Sequence, residues 1–242
     1  MNTPQPTALK ERKPIMTAST LIRLAGLSSM LAGASYVVVG FFHPLNILSS
    51  VTTPTWAIVH VFATALGFFG LFGMAGLYTR QAEKSGWLGL AGFILLSLWL
   101  AIVMCFSFVE AFMLPQLATQ SPAFVAALLG MFTGSAGDIN LGILPLLWTL
   151  SGPMYMLGGL LFGIATFRAG ILPRGAAVIL AFGTALAPIA ALLPPEHEAL
   201  ITVPVGLGLA WLGYALFAER RATVSAPAAA KGSVQLRQTA AE

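Results

Sequence analysis

Apolar residues in this chain come in six long runs: Leu21–Phe42, Trp56–Tyr78, Trp87–Leu114, about Leu141–Phe167, Ala176–Leu193 and Leu200–Phe217. About 20 apolar residues carry a helix, at 1.5 Å per residue, across a hydrocarbon core about 30 Å thick. Only 8% of the 242 residues are charged and 57% are apolar, whereas an ordinary soluble domain has about 25% charged residues. The runs leave no room for a separate soluble domain. The expected fold is all-α: a polytopic transmembrane bundle of six spans over residues 21–218, with a disordered arm at 1–20 and a disordered tail at 219–242.

Charge placement orients these spans. Lys10, Arg12, Lys13 and Arg23 stand at the start of the first run, Arg80 and Lys84 between the second and third, and Arg168 and Arg174 between the fourth and fifth; Arg220, Arg221, Lys231 and Arg237 follow the sixth. With six crossings all 12 Lys and Arg residues fall on one side. The positive-inside rule then puts both termini in the cytoplasm and the chain in the cell inner (plasma) membrane. The net charge of +4 is spread over short segments between spans. It serves orientation and gives no nucleic-acid surface, so the lipid bilayer is the first partner. A seventh crossing through Pro122–Asn140 would move Arg168 and Arg174 outside and bury Asp138, so that segment reads as a short outer helix, about Pro122–Phe132, between spans three and four.

Helices in lipid gain nothing by hiding apolar surface from one another, so packing must come from close backbone approach. Gly67, Gly70, Gly73 and Gly76 recur every third position in the second run, and Gly159 and Gly163 form a small-xxx-small pair in the fourth. Pro153 and Pro188 predict bends in the fourth and fifth spans. The single cysteine, Cys105, lies deep in an apolar run, so an internal disulfide is impossible.

The remaining polar residues gather on the outer side. His43 ends the first span, His60 lies one turn inside the second, and Glu110 comes near the outer end of the third; Asp138, Glu196, His197 and Glu198 are also outside. His60, Thr64 and Gly67 share one helical stripe, as do Ser107 and Glu110. An imidazole and a carboxylate at similar depth suit a proton relay or two members of a metal site, so the candidates are His60 and Glu110 for proton handling and His43, His60 and Glu110 for metal. A b-type haem held by His43 and a second ligand is a narrower form of the same reading. The plain alternative is that His60 sits at the headgroups beside Trp56 and His43 merely closes a span before Pro44. His197, between two glutamates after Pro194-Pro195, reads as a solvated turn. No HExxH, paired CxxC, Gly-x-Ser-x-Gly or phosphate-cradling loop is present, so no catalytic residue and no particular cofactor is named.

The stretches RLAG at Arg23–Gly26, GLYTRQAE at Gly76–Glu83 and FRAGILPRGAA at Phe167–Ala177 resemble those of uncharacterised bacterial multi-pass membrane proteins grouped as domains of unknown function. The resemblance covers about Arg23 to Phe217 and implies bacterial origin and a helical bundle, with no reaction or site residues attached. The sequence thus reads first as an integral membrane protein acting as a non-enzymatic structural or regulatory component, assembled with another membrane protein or with a second copy of itself. Two further readings are a small proton-coupled transporter using Glu110 and His60, and a metal- or haem-binding membrane redox protein using His43 and His60.

Overall fold

A computed structural model describes residues 17–135, 137, 139–190 and 192–219. The elements are α1 (Ala18–Phe42), α2 (Leu48–Val51), α3 (Pro54–Phe112), α4 (Leu114–Gln120), α5 (Pro122–Thr133), α6 (Leu144–Ala169), α7 (Arg174–Ala185), α8 (Ala187–Ala190), a 3-10 turn (Glu198–Thr202) and α9 (Val203–Ala218). There is no strand among the described residues. Among the described residues, four stretches are long and apolar enough to cross a membrane: α1, α3, α6 and Glu198–Ala218.

Helix boundaries depart from the apolar runs where hydropathy and helix propensity part company. α1 begins at Ala18, inside the stretch expected to be a disordered arm, because the Thr17 hydroxyl accepts the Thr20 amide and caps the helix before the apolar run starts. Between the second and third runs the expected connection is itself helical. Only Gly86 leaves helical geometry, with φ 57° and ψ −157°, a region essentially closed to other residues. α3 is therefore two limbs folded back at Gly86: Gly67 meets Met104, Gly70 meets Leu100, and the Tyr78 and Phe93 rings stack at 4.8 Å. The fifth run does not form one helix of membrane length. α7 stops at Ala185 and α8 restarts at Ala187, next to Pro188, which cannot continue the ladder of amide hydrogen bonds. Asp138 and the expected tail beyond Glu219 lie outside the described residues.

These limbs close into a ring. α1 packs on the first limb of α3, the second limb packs on α6, α6 on α7, α7 on α9, and α9 returns to α1. A glycine seals each contact, since a Cβ there would fall on a neighbour's backbone or Cβ. Gly33 lies against the Gly206 carbonyl between α1 and α9, Gly73 against Ser29 between α1 and α3, and Gly158 against Leu96 between α6 and α3. Gly163 meets Ala181 between α6 and α7, and Gly208 meets Leu180 between α9 and α7. The ring is filled by one apolar cluster that includes Leu66, Met74, Leu77, Leu100, Phe162, Leu180 and Leu212.

The two ends of the ring differ. Arg80 pairs with Glu219 at 2.7 Å, the Arg23 guanidinium lies 4.8 Å over the Phe217 ring, and Gln81 reaches Thr166 near Arg168. The described basic residues thus share one end. At the other end α2, α4 and α5 form a cap with its own cluster, in which Val51, Trp56, Phe106, Leu114, Val125 and Leu129 are buried. α5 ends at Gly134 in a left-handed C-cap, φ 74°.

Candidate functional site

Beneath that cap, two limbs and the end of α1 bring His43, His60 and Glu110 together. Because the limbs of α3 are antiparallel about Gly86, residues near its two ends come to equal depth. His60 is 1% exposed and Glu110 7% exposed, and the His60 Nε2 lies 3.6 Å from a Glu110 carboxylate oxygen. That distance is an electrostatic contact, longer than a hydrogen bond. Among the described residues Nε2 has no other partner.

Trp56 organises the pair. It sits one turn before His60 on the same stripe, so its backbone carbonyl is within 2.8 Å of the His60 Nδ1. A carbonyl only accepts, so Nδ1 carries the hydrogen and, in the neutral ring, Nε2 presents its lone pair toward Glu110. The Trp56 indole Nε1–H donates at 2.8 Å to the backbone carbonyl of Glu110, and its ring lies 4.1 Å from the imidazole, tilted by 30°. The Thr64 hydroxyl donates to the His60 carbonyl at 2.8 Å. Trp56 thus fixes the tautomer, the ring position and the distance between the two limbs at this depth. In the sequence Trp56 reads only as an interfacial anchor. Its spacing of four from His60 is the one signal there that could point to this role.

His43, just beyond α1, packs edge to face on His60 with centroids 5.2 Å apart. Burial holds its imidazole below the usual value, so the ring is neutral at neutral pH. Among the described residues no group of three or more His, Cys, Asp or Glu side chains is arranged to hold a metal ion. His43, His60 and Glu110 form a packed polar cluster. His197 reaches only Glu196, at 4.0 Å and largely exposed, and stays out of the cluster.

Two further polar groups occupy the ring interior. Tyr36, Trp99 and Tyr155, from three limbs, form a buried triangle with centroids 5.7, 6.4 and 4.6 Å apart. Near the basic end Gln81, 1% exposed, donates from Nε2 to the Thr166 hydroxyl at 2.8 Å, and Thr166 is fully buried. Outside the ring, an apolar groove of about 770 Å³ runs between the limbs of α3, lined by Phe68, Phe69, Met104, Cys105 and Phe108. Thr64, its one hydroxyl, already donates to the His60 carbonyl, so the groove is almost wholly apolar.

Comparison with known protein families, with characterised proteins and with solved structures finds no match to this chain.

Proposed function

We propose that the chain is a small proton-coupled transporter of the inner membrane, crossing it six times with both termini cytoplasmic, and that His60 and Glu110 take up its proton from the outer side. The observation that carries this reading is the buried imidazole nitrogen, left without a hydrogen-bond partner 3.6 Å from a buried carboxyl group. Nδ1 is committed to the Trp56 carbonyl, so a single proton can reside on the His60 Nε2 or on Glu110 and move between them with little rearrangement. No described cation stands beside them, because the basic residues lie at the opposite end.

A purely structural role leaves the cost of this arrangement without a return. A buried donor or acceptor without a partner costs about 1–3 kcal/mol, and ionisable groups within membrane spans are functional candidates for that reason. The six crossings count the two limbs of α3 separately and take α7 with α8 as the fifth. All 12 Lys and Arg then lie on the cytoplasmic side.

The direct test is proton entry into proteoliposomes loaded with a pH-sensitive dye and driven by a potassium diffusion potential. Wild-type protein should admit protons, and Glu110→Gln and His60→Ala should each abolish the flux while remaining monodisperse in detergent. Equal acidification with wild type and Glu110→Gln would remove the proposal.

A further inference from the structure

The unpartnered atom on His60 has counterparts deeper in the ring. Among buried side-chain atoms without a hydrogen-bond partner are the Tyr155 hydroxyl and the Gln81 Oε1, besides Asn46 Oδ1 after α1 and Ser97 Oγ on the second limb of α3. His60 and Gln81 lie on one uninterrupted limb, about 31 Å apart by helical rise, close to the thickness of a hydrocarbon core. Tyr155 stands between those levels, about 16 Å along α6 from Thr166. Buried polar atoms without a hydrogen-bond partner therefore occur near the two ends and the middle of the ring.

Buried polar groups in native proteins find partners, and where the protein supplies none, water does. The chemistry of each atom fits water. Gln81 Oε1 only accepts, and its amide nitrogen is already committed to Thr166, so whatever fills the position must donate. The Tyr155 hydroxyl both donates and accepts, and the Tyr36 ring is its neighbour at 6.4 Å. The His60 Nε2 takes or gives a proton.

We propose that the ring interior is a proton path with three water-holding stations: His60 with Glu110, Tyr36 with Tyr155, and Gln81 with Thr166. The path rests on the proton-coupled reading above and extends it across the membrane. A proton enters at His60 and Glu110, passes through water to the tyrosine hydroxyls, each of which gives up one proton as it accepts another, and leaves through water held at Gln81. No electron moves and no bond other than O–H and N–H changes. Gln81 does not ionise; it is a positioning residue for the last water. Leu66, Leu100, Met74, Leu77 and Phe162 pack between the stations, so this conformation is closed and wetting of those layers is the gate.

The test combines dye-reported proton entry for Gln81→Leu, Gln81→Glu, Tyr155→Phe and Glu110→Gln with millisecond hydroxyl-radical labelling of wild-type protein, which marks side chains beside internal water. Flux should fall about tenfold or more in Gln81→Leu and Tyr155→Phe and persist in Gln81→Glu, which keeps the acceptor oxygen. Tyr155 should be labelled although it is buried. Wild-type flux in Gln81→Leu and Tyr155→Phe, with flux lost in Glu110→Gln, overturns the path and leaves the outer pair standing. Flux unchanged in Glu110→Gln as well overturns both. An unlabelled Tyr155 in the wild type overturns the path whether or not the variants fold.

Discussion

The Trp56 side chain holds the candidate site through one hydrogen bond and one ring contact, and the two are separable by substitution. Trp56→Phe keeps an aromatic face on His60 but removes the donor to the Glu110 carbonyl. A lost hydrogen bond of this kind costs about 1 kcal/mol, and somewhat more if the carbonyl is left buried and unpaired. The expected result is a lower melting temperature in detergent together with a weaker proton flux, because the limbs no longer hold His60 and Glu110 at 3.6 Å. Glu110→Gln has the opposite stability signature. Replacing an ionisable buried group by a neutral one of the same shape removes a desolvation cost, so the variant should melt at or above the wild-type temperature while losing flux. A marked drop in its melting temperature would mean that the carboxyl is structural. The candidates His60 and Glu110 are legible in the sequence as ionisable groups inside apolar runs. Their meeting is not, because depth along two spans does not specify which faces turn toward each other.

At the scale of elements, glycine positions separate into conformational and packing roles. Gly86 turns α3 back on itself at φ 57° and ψ −157°, and a Cβ added there would meet nothing within 4 Å, so any cost of substitution is backbone strain alone. Gly86→Ala should destabilise by about 1–3 kcal/mol, read from unfolding in mixed micelles. Gly158 and Gly152 provide a matched pair on α6. A Cβ at Gly158 would lie 2.7 Å from the Leu96 amide nitrogen, whereas one at Gly152 meets nothing within 4 Å. Gly158→Ala should cost about 1–3 kcal/mol through overpacking, and Gly152→Ala should be neutral or gain up to about 1 kcal/mol of helix propensity. Equal effects at the two positions would show that the α6 seam does not depend on close approach. The sequence displays Gly67 to Gly76 and the Gly159–Gly163 pair as packing surfaces. It does not display Gly86 as the only break in α3, because the residues before it are polar yet helix-compatible, and hydropathy marks where an apolar run ends without marking where its helix does.

For the whole molecule, the proposed six-crossing topology predicts fluorescent-protein fusions that glow at either terminus. In a Cys105→Ser background, Ser49→Cys should react with an impermeant maleimide from outside, and Lys84→Cys only after the membrane is opened. Labelling of both from the same side would remove the topology. The all-helical class and the apolar runs were determined by the sequence alone, since a chain with 8% charged residues has few ways to satisfy its backbone away from water except in helices. The clustering of the basic residues was also written there, because local charge decides which connections stay at which end. Tertiary structure alone decided that α9 closes the ring on α1, that His43 and His60 touch, and that Tyr155 and Gln81 are enclosed with polar atoms left unpartnered. Those facts depend on the rotation of each helix about its own axis, which is set by backbones meeting at glycines far apart in sequence, and the spans are apolar enough around their circumference that hydropathy could not choose the face.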